Sequence, residues 1–138
     1  MIRARLVVQI DPPESLWAVL QSGGACGLNI DSHTQGMFHW RLQAACAAQA
    51  NLAIWHGSKL DLGLFTAAQL QLAASAPNCT LPGDQISPWF RQSTLLKEPF
   101  RIEDGCTLVP RGSGLGVTVD PEALDRYTVS HVSWELRS

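Results

Sequence analysis

A chain of 138 residues has room for one domain with a real core and not for two. Charged residues make up 16% of it, apolar residues 46%, and the net charge is −2. There is no basic stripe or polybasic run, which excludes a nucleic-acid or membrane partner held by charge, and no apolar run reaches the ~20 residues of a membrane-crossing helix.

The stretch RLVVQID (residues 5–11) is a β-branched run and predicts a strand, closed by Pro12 and Pro13. ESLWAVLQSGG follows, with Leu16, Val19 and Leu20 at helical spacing and a glycine pair as the stop. CGLNID (26–31) predicts a second strand. The alanine-rich FHWRLQAACAAQAN (38–51) predicts a helix with Phe38, Leu42, Ala45 and Cys46 on one face. LAIWHG (52–57) reads as a third strand and LFTAAQLQLAASAP (64–77) as a helix stopped by Pro77. CTLPGD (79–84) reads as a short fourth strand. The remainder, from Gln85, has prolines and turns. In it, CTLVPRGSGLGVTV predicts a strand, a glycine-rich loop and a short strand, and DPEALDRY a helix with Asp120 as cap and Pro121 at its first position. VSHVSWEL (129–136) closes the chain with an alternating pattern.

Strands alternating with helices predict βαβ units and a parallel sheet, here over residues 1–84, with 85–138 as an extension packed on it. The strands are apolar throughout, as expected where both faces are covered. Sites in such folds sit at the carboxyl ends of the strands. Asp11, Asp31, His56 and Asp84 each fall at such an end and are expected to line one rim.

The chemistry available there has two readings. Asp31 and His56 end neighbouring strands ~4.8 Å apart, within reach of a hydrogen bond. A carboxylate behind an imidazole makes a general acid or base; the bland alternative is two solvated strand ends. Asp31, His33, His56 and Asp84 also have the donor types of a metal site, but no short ligand spacing such as HxxxH supports one. His39 reads as packing. GSGLG (112–116) has no lysine and no long helix after it, so a turn explains it better than a phosphate loop. Cys26, Cys46, Cys79 and Cys106 lack a CxxC pair and sit in apolar segments, so reduced structural thiols are expected. The apolar part of MIRARLVVQI is short and no cleavage site follows, so a cytoplasmic location is expected.

Two stretches carry a family resemblance. LVVQIDPPESLWAVLQSGGACGLNIDSHTQGMFHWRLQAACAAQANLAIWHGSKLDLGLFTAAQLQLAASAPN resembles the late barrel segments of the mandelate racemase/muconate lactonizing group of the enolase superfamily. EPFRIEDGCTLVPRGSGLGVTVDPEALDRY is similar to that group's C-terminal segment. The resemblance implies a modified (β/α) barrel. It puts Asp31 and His56 at an Asp–His dyad of the racemase and acid-sugar dehydratase branches, where the muconate and dipeptide branches carry a lysine at the Asp31 position. In those branches the histidine moves the proton α to a carboxylate while Mg²⁺ stabilises the enediolate.

The resemblance also implies parts this sequence lacks: a capping domain, the early strands, a lysine base and two of three metal-ligand carboxylates. Asp11 is the one candidate for the third metal ligand, and Asp84 and His33 are weak candidates for substrate contact. The expectation is therefore half of a TIM-type barrel, about four parallel strands, that does not bind Mg²⁺ as an isolated chain. Its open edges call for a homodimer or for a chain supplying the missing half. Three functions follow: a silent fragment; a dehydratase or racemase on a sugar-acid carboxylate, completed by another chain; or a non-catalytic assembly module.

Overall fold

Each of the three expected strand runs forms a short strand, and each is followed by a helix: β1 (Val7–Ile10), α1 (Ser15–Ser22), β2 (Gly27–Ile30), α2 (Ser32–Gln49), β3 (Ala53–His56) and α3 (Gly63–Ser75). The computed structural model describes residues 4–11 and 14–134. The strands pair in parallel in the order β1-β2-β3, with Ile10 opposite Ile30 and Ile30 opposite His56. Alternation along the strands turns Ile10, Leu28, Ile30 and Ile54 towards the helices. There they pack with Trp40, Ala44, Ala47 and Leu72. Each large side chain so buried contributes roughly 1.5–3 kcal/mol. Gly23, left-handed at φ 62°, ends α1. The prolines expected to close β1, Pro12 and Pro13, lie outside the described residues.

Two expectations about α2 need correction. The helix begins at Ser32 and is broken at Gly36 (φ 73°, ψ 167°). Its buried side is Trp40, Gln43, Ala44 and Ala47, whereas Phe38 is 72% exposed and Leu42 50%. An alanine-rich helix has little amphipathic signal, so its largest ring decides the orientation. Trp40 buries the most area, and its Nε1 donates to the Ile30 carbonyl at 3.0 Å, which removes the cost of burying the indole N–H. The same rotation leaves Cys46 exposed; Cys26 and Cys106 are exposed too, and Cys79 is half-buried, all four as free thiols.

The described sheet has three parallel strands, not about four. Residues 78–81 do run beside β3: Ile54 N–H donates to Asn78 O (2.8 Å) and Leu81 N–H to Ile54 O (3.1 Å). A parallel ladder brackets a residue with partners two apart in sequence, and here they are three apart. The extra residue breaks the register, and Pro82 has no N–H with which to resume it. The outer edge of β3 is thus covered, while β1 has no strand partner on its other side among the described residues.

The extension is tied to the sheet layer by side-chain and backbone bonds. Gln71 Nε2 on α3 donates to Pro110 O (2.7 Å), and Gly63 N–H to Thr94 O (3.0 Å). A single turn α4 (Ser87–Phe90) precedes a two-residue hairpin, β4 (Ile102–Glu103) against β5 (Cys106–Thr107). Asp104 and Gly105, at φ 49° and 77°, make its turn. The second strand expected after the glycine-rich loop is reduced to a bridge between Leu96 and Val119. Helix α5 (Pro121–Tyr127) is capped by Asp120, which accepts from Glu122 N and Ala123 N. Residues 129–134 form no strand despite their alternation, and Glu135 and Leu136 lie outside the described residues.

Candidate functional site at the strand carboxyl ends

Parallel strands bring their carboxyl ends to one side, so the segments after Ile10, Ile30 and His56 meet there. Asp31 keeps an extended backbone (φ −106°, ψ 125°) and caps α2, its Oδ1 accepting from His33 N at 2.8 Å. Its Oδ2 lies 3.4 Å from Lys59 Nζ. In the loop after β3, Asp61 Oδ1 lies 3.1 Å from His33 Nε2, and its Oδ2 accepts from Lys59 N (3.1 Å) and Gln69 Nε2 (2.9 Å). Each buried carboxylate therefore grips both His33 and Lys59, one through its backbone amide and the other through its side chain. The side chains of His33 and Lys59 are 44% and 43% exposed. The ionic attraction of Lys59 is screened, so the backbone bonds carry much of the bracing. The His33 ring rests on Phe65, with centroids 4.9 Å apart.

The expected hydrogen bond between Asp31 and His56 is not made. His56 is the register partner of Ile30 and points, like Ile30, into the helix layer. Asp31 comes one residue later, on the alternate side. The His56 ring stacks on Trp40 (4.8 Å, 23°). Its Nδ1 donates to the Gly57 carbonyl at 2.8 Å, which leaves the lone pair on Nε2. Nε2 is buried and has no hydrogen-bond partner among the described residues. Burial pushes the imidazole below its usual pKa, against the opposing pull of the Gly57 carbonyl and of Asp31, Asp84 and Asp61.

This shift sets a sign for the pH dependence of stability. The folded chain refuses a proton that the unfolded chain accepts, so the contribution of His56 is complete above the unfolded value of about 6.5 and declines as pH falls below it. Thermal unfolding followed by circular dichroism is expected to show a midpoint that falls between pH 7 and 5. His56→Phe, which keeps a ring against Trp40, should flatten that fall; an unchanged slope would assign it to other groups.

The remaining candidates scatter. His33 meets Asp61 through its ring and Asp31 only through its backbone. Asp84 offers its main-chain oxygen to Ser58 Oγ (2.8 Å), while its Oδ1 is buried without a partner among the described residues. Asp11 is exposed at the end of β1. Lys59, Asp61 and Gln69 were not singled out by their sequence pattern. Their one signal is placement, since Lys59 and Asp61 follow directly on a strand's carboxyl end. Cys79 abuts the His56 backbone, and burial pushes its thiol pKa up.

The fit to the Mg²⁺ of the resembled family is poor. Among the described residues no group of three or more His, Cys, Asp or Glu side chains converges. Asp31 and Asp61 already spend their oxygens on Lys59, His33 and Gln69. What remains, Asp84 and the exposed Asp11, does not join a cluster able to give Mg²⁺ its near-octahedral oxygen shell among the described residues.

Residues 9–123 match the family described as enolase C-terminal domain-like. Over 92 residues the chain is 41% identical to N-succinylamino acid racemase of an Amycolatopsis species, covering 67% of this chain and 24% of that protein. Over 108 residues it is 33% identical to o-succinylbenzoate synthase of Enterococcus faecalis, covering 76% and 29% respectively. The chain thus spans about a quarter of the length of these relatives. Its fold matches muconate cycloisomerase from Pseudomonas fluorescens with a TM-score of 0.85 at 21% identity, over 92% of this chain and 36% of that one. A family match across most of the sequence, together with a parallel α/β layer of the same shape, shows that the chain belongs to the mandelate racemase/muconate lactonizing group of the enolase superfamily, as part of its C-terminal domain.

Proposed function

We propose that this chain is an enolase-type barrel segment that is catalytically silent by itself. The observation that carries the reading is the position of His56. A general base must come within hydrogen-bond reach of the proton it takes, and the one lone pair of this imidazole is sealed in the core beside Trp40. Asp31, the other half of the inferred dyad, is engaged as helix cap and as partner to Lys59. The named relatives act on carboxylates, N-succinylamino acids among them. On the rim of this chain, the ammonium and the imidazole that would meet a carboxylate are already held by Asp31 and Asp61. The uncovered edge of β1 supports association with a second copy or with a chain bringing further strand–helix units.

The test is turnover. The chain, supplied with Mg²⁺ and either an N-succinylamino acid or muconate, is expected to give no racemisation by polarimetry and no cycloisomerisation by ultraviolet absorbance. Magnesium-dependent turnover that disappears in His56→Asn would overturn the reading. Acid-sugar substrates belong in the same panel with the same expectation.

A further inference from the structure

Away from the rim, the extension borders an open cleft of about 760 Å³ between residues 98–101, 108–111 and 116–117. That volume falls in the ordinary range of small-molecule sites. Phe100, Leu108, Val109 and Val117 supply apolar walls. The walls are held by bonds that need no ligand: Leu108 N–H donates to Arg101 O (2.8 Å) and Lys97 N–H to Thr118 O (2.9 Å). Gln71 Nε2 secures the Pro110 carbonyl from α3. Gly116, at φ 73°, lets the glycine-rich loop close on itself; a Cβ there would lie 2.7 Å from the Pro110 carbonyl carbon. The cleft is preformed, which spares a ligand the cost of ordering it.

The lining carries two guanidiniums, Arg101 and Arg111, against one carboxylate, Glu98. Arg101 is paired with Glu103 at 3.1 Å. Arg111, by contrast, has no ion pair or side-chain hydrogen bond among the described residues, in a chain whose net charge is −2. Glu98 is the one acidic group on the lining. A free guanidinium beside apolar walls matches a small molecule with an apolar body and a planar anionic head.

We propose that this cleft binds an amphipathic organic carboxylate, its aryl or short alkyl body between Phe100, Leu108 and Val117 and its carboxylate on the Arg111 guanidinium. The site is separate from the rim and does not depend on whether the rim is silent.

The probe is 4-phenylbutyrate, titrated into the full chain and followed by calorimetry and by NMR chemical shifts. Saturable binding is expected, with shifts confined to residues 98–101 and 108–117. 4-Phenylbutanol, which has the same body without the charge, should bind about tenfold more weakly or worse, and Arg111→Gln should weaken 4-phenylbutyrate by a similar factor. Arg111 is exposed, so its replacement leaves the fold in place, and the far-ultraviolet spectrum checks this. Non-saturable binding would overturn the proposal, as would equal affinity for the alcohol, an Arg111→Gln variant that binds as tightly, or shifts centred on residues 31–33 and 56–61. A cleft that serves instead as a seat for another polypeptide would show the first of these.

Discussion

Trp40→Ala is expected to cost about 3–5 kcal/mol of folding stability, the range for deleting a large ring from a packed interior. Trp40 is fully buried. It fills the space between α2 and the sheet, stacks on His56 and donates to Ile30 O. Deleting it removes the ring contacts and opens a cavity beside an imidazole that already has an unpartnered nitrogen. Domains of this kind hold only about 5–15 kcal/mol in total, so the variant should unfold at a far lower urea concentration than the parent. Trp40→Phe should lose much less. The stack survives in it, and Ile30 O still accepts from Gly57 N–H at 3.1 Å. Equal losses in the two variants would show that the indole hydrogen bond, and not the volume, is what matters.

Asp61→Ala comes second, at about 2–3 kcal/mol. The carboxylate accepts from Lys59 N–H, from Gln69 Nε2 and from the His33 ring. His33 can turn to water, but Gln69 is fully buried and would keep only its long 3.5 Å bond to Gly57 O. Leaving a buried amide without its better acceptor costs part of its desolvation, on a scale of about 1–3 kcal/mol, and the loss of the bond to Lys59 N–H adds to it. Asp61→Asn keeps one acceptor oxygen and should fall between. Asp31→Ala, by comparison, removes a cap worth about 1 kcal/mol and frees a half-exposed ammonium into solvent. Chemical denaturation of the three variants checks the order; a larger loss for Asp31→Ala would mean that the cap, and not the loop carboxylate, holds the rim together.

What the residues disclosed in advance was the layer order. Three short apolar runs spaced by two helical segments are enough to predict a parallel sheet with its chemistry at one end, because period and punctuation are local properties. Facing was harder to read. Ile30 and His56 are register partners, so a residue one step past Ile30 looks away from His56 even though both end a strand. Linear placement told which end of the sheet each residue occupies and not which side. Helix α2 failed for a related reason: many alanines leave several faces equally apolar, and Phe38 and Trp40 compete for the interior until tertiary packing chooses. The fourth strand was lost to one surplus residue between Asn78 and Leu81, a matter of register that composition does not record. Lys59 and Asp61 lie in a loop, where periodicity has nothing to say, and only the folded chain brings them to His33 and Asp31.

The break at Gly36 divides α2 into two parts with separate moorings. The turn before it is lashed to β1, since Gln35 Nε2 donates to Ile10 O at 3.1 Å. The long part after it is fastened to β2 through Trp40 and Ile30. A continuous helix would transmit any shift of one strand along its full length as a rigid rod. Here the rod is cut: the first turn, which follows directly on β2, carries the bond to β1, and the long part carries the bond back to β2. The joint depends on glycine, because an L side chain at position 36 would be strained at a left-handed φ of 73° even though no atom lies within 4 Å of it. The rim residues Ser32 and His33 thus sit on a turn whose backbone direction is set apart from the helix that lines the packed interior.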